Sequence, residues 1–258
     1  MDTISMGLML VATALAGVCL GAVVNALADR VVGDEEPPWS ARQCRACRKP
    51  LAPAPRFGLL DLRRRRVCGQ CGARASLRRP LLELALGLLL PALALHLVAA
   101  PGRLPLWAGF ALDALALGAL AFIFAVDLEH RLIFDLSLYL PIALLLGVTL
   151  AFDRKALMGM LFGALICGAL FLLFYGLGFL LYHQEALGFG DVKLAVLVGL
   201  VAGWPGMMTA LVVAALAGAG GSVLALGLGS ASRTSYIPFG IFLALGAAAA
   251  LLAAPPVW

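Results

Sequence analysis

Long apolar runs separated by short polar loops constrain this chain more than any other feature of its sequence. Most of the runs approach the length of a helix that crosses a bilayer, roughly 20 residues. Hydrophobic residues make up 63% of the chain and charged residues only 13%, whereas a soluble domain carries about 25% charged residues. The sequence therefore predicts an all-α, polytopic membrane protein.

The apolar runs predict eight transmembrane segments. Their expected bounds are 5–28, 81–100, 106–126, 136–151, 158–182, 192–204, 207–228 and 237–254. The sixth segment is short, and Gly203-Trp204-Pro205-Gly206 after it is typical of a turn. We accordingly divide the chain into a first transmembrane helix at 1–28, a loop domain at 29–80 and a membrane domain at 81–258.

The placement of Lys and Arg predicts the orientation in the membrane. If the N-terminus lies outside, the inner loops are 29–80, 127–135, 183–193 and 229–236, and they hold 16 of the 19 basic residues. Cytoplasmic loops of membrane proteins carry such an excess of Lys and Arg. Both termini are therefore predicted outside, with the long loop in the cytoplasm. The net charge of +5 gives no argument for nucleic acid as a partner.

Four cysteines of the long loop form two pairs, Cys44 with Cys47 and Cys68 with Cys71. The resulting spacing, C-x2-C-x20-C-x2-C, suits a tetrahedral zinc site of four thiolates, which leaves no open position and is therefore structural. A redox or disulfide pair and an iron–sulfur cluster are the alternatives. A reducing cytosol argues against structural disulfides. A loop this small and polar needs such a staple to hold a fold.

Two acids stand at predicted boundaries between membrane and cytoplasm. Asp127 ends the third apolar run, and Asp191 follows a glycine pair, Gly188 and Gly190, after the fifth. Ionisable groups at such positions indicate functional sites. If segments three to six pack together, the two carboxyls face each other and hold one proton between them. An aspartyl protease needs that pair, because one carboxyl takes a proton from water while the other polarises the scissile carbonyl.

Other interpretations of the acids stay open at this point. Asp127, Glu129, Asp135 and Asp191 together suit magnesium and a lipid diphosphate, although the chain has no D-D-x-x-D run. A zinc-responsive, proton-coupled transporter could use them as a proton relay. Glu129 and Asp135 could also be solvated carboxylates paired with Arg131 or Lys193, and Asp135 could cap the fourth segment.

Lys193 also allows two interpretations. It could stabilise the ionised form of Asp191 or meet an acidic residue of a substrate. The alternative is a lysine at a helix end whose ammonium reaches towards water.

The stretch from Gly188 to Leu194 resembles the G-x-G-D signature of the type IV prepilin peptidases, which are membrane aspartyl proteases. Residues 127–135 resemble the first aspartate motif of that family, although Phe134 replaces a proline. The exit of the first helix at 21–30 and the last helix at 237–246 are similar as well. The four cysteines and residues 79–84 match the bifunctional bacterial branch.

This resemblance implies cleavage of the leader from type IV prepilins or type II secretion pseudopilins at the cytoplasmic face of the bacterial inner membrane. In the bacterial branch, N-methylation of the new N-terminus with S-adenosylmethionine follows. The resemblance implies Asp127 and Asp191 as the catalytic pair. Candidate substrate-binding or supporting residues are Gly188, Gly190, Lys193, Glu129 and Asp135. Asn25 and Glu83, polar groups at the inner boundary, are candidates for methyl transfer.

Overall fold

The computed structural model describes residues 2–32, 58–59, 71–72, 77–130, 133–182, 187–227 and 239–257. Within these ranges the chain forms seven helices. They are α1 (Thr3–Val32), α2 (Arg78–Ala99), α3 (Leu106–His130), α4 (Asp135–Phe152), α5 (Arg154–Tyr182), α6 (Phe189–Gly227) and α7 (Gly240–Ala253). Helices α1 to α6 are long and apolar enough to cross a membrane, while α7 is a shorter apolar helix. The predicted all-helical, polytopic architecture is confirmed.

The chain divides into two compact units. The first, Met1–Ala94, contains α1 and most of α2, and the second, Leu95–Trp258, contains helices α3 to α7. Most of the predicted loop domain at 29–80, including Cys44, Cys47 and Cys68, lies outside the described residues. The three-part division therefore stays a prediction.

Helix α6 contains the predicted sixth and seventh segments, so the described residues hold seven helices where the sequence analysis expected eight segments. The predicted interruption at 203–206 is nevertheless present. Gly203 (φ 57°, ψ −176°) and Trp204 (φ −92°, ψ 132°) leave the helical conformation. A positive φ is readily adopted by glycine. Pro205, which has no N–H, then starts a new helical stretch.

The second half of α6 runs antiparallel to α7. Gly246 packs closely against the backbone of Ala210, and Gly206 packs against Ala254 at the end of α7. Residues later in α7 therefore contact residues earlier in α6. Such close approaches are possible because glycine has no side chain.

The first half of α6 runs parallel to α7, since Leu194 contacts Gly240 at its start and Gly203 contacts Val257 beyond its end. The two halves of α6 thus point in opposite directions. Leu197 and Val201 in the first half are completely buried. A helix that is apolar on all sides belongs in the interior, which explains how a segment too short for an ordinary transmembrane span is accommodated.

Helices α5 and α6 approach each other closely at Gly163 and Gly199. A side chain on either glycine would collide with the carbonyl oxygen of the other. Close backbone approach at small residues is a common way for membrane helices to associate. This contact fixes the central, buried half of α6 against α5.

We predict that Gly163→Val destabilises the fold, because its side chain has no room against Gly199. Overpacking of this kind costs about 1–3 kcal/mol. Gly176→Val is the matched control, since a Cβ on Gly176 in the same helix would meet no described atom within 4 Å. Thermal unfolding in detergent should give a lower midpoint for Gly163→Val than for Gly176→Val. Equal midpoints would contradict the close contact.

Candidate active site

Asp127 and Asp191, the two acids singled out in the sequence, meet in the second unit. Each is 4% exposed, and their carboxyls lie close enough to interact electrostatically. Asp127 lies in the last turn of α3, and Asp191 lies in the first turn of α6. Two buried carboxyls in one site cannot both carry a charge easily. The arrangement can therefore hold a proton between two acids that are largely screened from water.

The turn before Asp191 is built by local contacts. The N–H of Asp191 donates a hydrogen bond to the carbonyl of Gly188 (3.0 Å), which starts the helix. A Cβ on Gly190 would lie 3.3 Å from side-chain carbons of Ile133, so this glycine packs tightly against the connection between α3 and α4. The G-x-G-D turn therefore contacts the segment that follows Asp127.

Gly240, the first residue of α7, forms a further wall of the site. A Cβ at this position would lie 2.7 Å from Oδ2 of Asp127 and 3.4 Å from Cδ2 of Leu194. Every residue other than glycine would therefore push against the Asp127 carboxyl. Gly240 is not among the site residues expected from the sequence. In the sequence, the indication for this position was the resemblance of residues 237–246 to the last helix of a known family.

Lys193 contacts Asp135 rather than Asp191. Its Nζ donates a hydrogen bond to Oδ1 of Asp135 (2.5 Å), one of the pairings that the sequence left open. The prediction that Asp135 caps α4 is wrong. Phe134 occupies the N-cap position of this helix, and no side-chain hydrogen bond caps it. The hydroxyl of Ser137 donates a hydrogen bond to the carbonyl of Phe134 (2.6 Å).

Glu129 lies beside His130 at the end of α3, with 3.7 Å between Oε2 and Nε2. The four acids considered for magnesium, all within the described part of the chain, do not form a group that could hold a metal ion. Asp135 is instead engaged by Lys193. This geometry disfavours the magnesium interpretation.

The two methyl-transfer candidates lie in the first unit and differ in their surroundings. Asn25, 4% exposed, donates through Nδ2 to the carbonyl of Arg79 (3.1 Å). No donor among the described residues lies within hydrogen-bond distance of its Oδ1. Glu83, 1% exposed, accepts hydrogen bonds from the N–H groups of Gly58 (2.7 Å) and Leu59 (3.0 Å). Glu83 thus ties a short piece of the loop domain to α2.

Of the four predicted zinc ligands, Cys71 is described and is exposed. Cys44, Cys47 and Cys68 lie outside the described residues. The described ranges contain no group of three or more His, Cys, Asp or Glu side chains that could hold a metal ion. The zinc site stays a prediction.

Two protein-family profiles match parts of the chain. The profile of the Type IV leader peptidase family matches residues 114–223, and that of the Bacterial Peptidase A24 N-terminal domain matches residues 15–97. A prepilin leader peptidase/N-methyltransferase of Aeromonas hydrophila is 32% identical over 230 residues, which cover 85% of this chain and 75% of that protein. The chain belongs to the type IV leader peptidase family.

Other relatives in the leader peptidase family are longer than this chain. The prepilin leader peptidase/N-methyltransferase of Burkholderia pseudomallei (strain 1026b) is 34% identical over 199 residues, covering 74% of this chain and 60% of the relative. That of Pseudomonas aeruginosa is 34% identical over 191 residues, covering 72% and 61%. The chain thus spans about three fifths of the length of these relatives. No solved structure matches it.

The candidate site residues chosen from the sequence lie within the two matched regions. Asp127 and Asp191 both fall in the leader peptidase match, whereas Asn25, Glu83 and the four predicted zinc ligands fall in the match to the N-terminal domain. The family and the six long apolar helices together identify an integral membrane protein. Gly240 lies beyond the end of the leader peptidase match.

We predict that Glu83→Ala releases the short loop segment that Glu83 holds. Loss of the Glu83 carboxylate leaves the buried N–H of Gly58 and the partly buried N–H of Leu59 without an acceptor, which costs about 1–3 kcal/mol. Hydrogen–deuterium exchange at Gly58 and Leu59 should be fastest in Glu83→Ala, intermediate in Glu83→Gln and slowest in the parent protein. Equal exchange in all three would show that Glu83 does not anchor the loop.

Proposed function

We propose that the protein is a membrane aspartyl endopeptidase that removes the leader peptide from type IV prepilins or type II secretion pseudopilins. The observation that carries this proposal is the pair of buried, interacting carboxyls of Asp127 and Asp191. Relatives named prepilin leader peptidase/N-methyltransferase support the substrate class.

The chemistry follows from two carboxyls that share a proton. The ionised carboxyl takes a proton from a water molecule, whose oxygen attacks the carbonyl carbon of the scissile peptide bond. The protonated carboxyl donates its proton to the carbonyl oxygen. The tetrahedral intermediate is a gem-diol, and as its C–N bond breaks the protonated carboxyl donates its proton to the leaving amine nitrogen. One hydroxyl of the gem-diol gives its proton to the ionised carboxyl, so the pair is again singly protonated and the new carbonyl is formed.

The cleavage site is proposed to face the cytoplasm. Asp127 and Asp191 lie where α3 ends and α6 begins, and both connections belong to the loops that the distribution of Lys and Arg places inside. In this topology both termini lie outside the bacterial inner membrane, and the loop domain lies on the same side as the carboxyl pair. A substrate would therefore lie with its transmembrane helix in the lipid and its leader in the cytoplasm.

We further propose that N-methylation of the new N-terminus follows cleavage, as the names of the relatives suggest. S-adenosylmethionine supplies the methyl group when bound. The buried Oδ1 of Asn25, which lacks a donor among the described residues, fits a hydrogen-bond donor of such a ligand. Both oxygens of Glu83 already accept backbone N–H groups, which favours a supporting role for that carboxylate.

The loop domain is proposed to fold around one structural zinc. Cys44, Cys47, Cys68 and Cys71 provide four thiolates in the spacing that tetrahedral zinc requires. Such a site would stabilise the loop and take no part in peptide hydrolysis, since four protein ligands leave no position for water.

Asp127→Asn and Asp191→Asn should each abolish leader cleavage. An amide can neither take up nor release the shared proton, and loss of general acid–base catalysis costs about a hundred- to ten-thousandfold in rate. The measurement is cleavage of a purified prepilin by the detergent-solubilised enzyme, with thermal unfolding as a check of the fold. Asp153→Asn is the control. Oδ1 of Asp153 accepts hydrogen bonds from the N–H groups of Lys155 and Ala156 at the start of α5, and Asn can cap a helix in the same way. Full activity in either folded variant would refute the proposal.

Gly240→Ala should lower kcat while leaving KM nearly unchanged. The added methyl group displaces the carboxyl of Asp127, and a shift of about 1 Å in a catalytic group costs up to about a hundredfold. Gly147→Ala is the control, since a Cβ on Gly147 would meet no described atom within 4 Å. A Gly240→Ala enzyme with parental kcat would show that α7 does not constrain Asp127.

Purified protein should contain about one zinc ion per chain, measured by elemental analysis. Cys47→Ser should lose the metal. The loop domain at 29–80 should then become sensitive to proteases, because the zinc no longer stabilises its fold. Asp127→Asn and Asp191→Asn should keep it. Unchanged zinc in Cys47→Ser, or none in the parent, would contradict the assignment.

A further inference from the structure

Lys193 and Asp135 join the two stretches that carry the proposed catalytic acids. The ion pair spans 58 residues of sequence, with 2.5 Å between Nζ of Lys193 and Oδ1 of Asp135. Asp135 is the first residue of α4, and Lys193 lies in the second turn of α6, two residues after Asp191. The pair therefore links the start of α4 to the start of α6.

The ammonium of Lys193 has aromatic neighbours as well as a carboxylate. Its Nζ lies 5.7 Å from the ring centroid of Tyr139 and 5.4 Å from that of Phe189. Tyr139 follows Asp135 by four residues and so lies on the same face of α4. A cation within about 6 Å of aromatic faces is attracted to them. The contacts with Asp135 and Tyr139 hold the Lys193 side chain over α4.

Residues two apart on a helix do not face each other. Asp191 interacts electrostatically with Asp127, while the ammonium of Lys193 pairs with the carboxylate of Asp135. Lys193 is therefore not placed as a partner of the reacting carboxyls. The backbone of the first turns of α6 connects Lys193 to Asp191, and the side chains of Val192 and Leu194 in this stretch are buried.

We propose that the Lys193–Asp135 ion pair is a positioning device. It holds the first turn of α6 against the start of α4 and thereby sets the Asp191 carboxyl opposite that of Asp127. This inference rests on the proposed peptidase function and adds two positioning residues to it. The contact of Gly190 with Ile133 likewise places the start of α6 against the residues that precede α4.

An ordinary surface ion pair would behave differently. Exposed pairs contribute little to stability and nothing specific to a reaction. The side chain of Asp135 is 59% exposed and that of Lys193 is 25% exposed, so an ordinary pair would leave kcat unchanged on removal. A positioning pair acts on kcat and depends on the presence of opposite charges, not on which residue carries which charge.

The test compares Lys193→Met, Asp135→Asn, the charge-swapped double variant Lys193→Asp/Asp135→Lys, and the conservative Lys193→Arg. Leader cleavage of a purified prepilin gives kcat and KM, and thermal unfolding reports the fold. Lys155→Met is the control, because Lys155 is an exposed lysine at the start of α5. We expect each single charge removal to lower kcat about ten- to a hundredfold with KM changed less than about twofold.

The charge swap should recover kcat to within about threefold of the parent, and Lys193→Arg should stay close to the parent, since both keep an ion pair. Parental kcat in Lys193→Met and Asp135→Asn would overturn the positioning role while leaving the peptidase function intact. Should the swapped protein not fold, a tenfold loss in Lys193→Arg would overturn it instead. An inactive parent enzyme would overturn the peptidase function and this inference together.

Discussion

The pair of carboxyls at Asp127 and Asp191 is the constraint on which the rest of the structure depends. Taking a carboxylate out of water costs several kcal/mol even after the protein relaxes, and a second acid beside it adds repulsion. Such an arrangement persists only where the surrounding packing dictates it. Here the packing comes from the buried first half of α6, its close contact with α5 at Gly163 and Gly199, and the start of α7 at Gly240.

The reversal inside α6 is what makes this packing possible. The first half of α6 is too short to be an ordinary lipid-exposed span, yet it lies at the centre of the second unit and carries Asp191 at its start. Gly203 and Pro205 turn the chain back, so α7 packs along both halves. The site is thus assembled from the end of α3 and the starts of α6 and α7, which is why its residues are spread over much of the sequence.

The sequence predicted the features that depend on local pattern. Run length and composition predicted the membrane helices, and the glycine turn with its boundary acids predicted Asp127 and Asp191 as a pair. The end of α3 was placed too early, at residue 126, because the apolar run stops before the helix does at His130. Gly240 and the partner of Lys193 could not be chosen from the sequence alone, since both depend on which helix ends meet after folding.

The separation of the two carboxyls in the membrane tests this account most directly. An experimental structure of the active enzyme in lipid, at a resolution that defines side-chain oxygens, would measure it. We predict that the nearest oxygens of Asp127 and Asp191 lie within the span of one bridging water, about 5.5 Å for two hydrogen bonds. Carboxyls farther apart than that, or on opposite faces of the membrane, would contradict the shared-proton site.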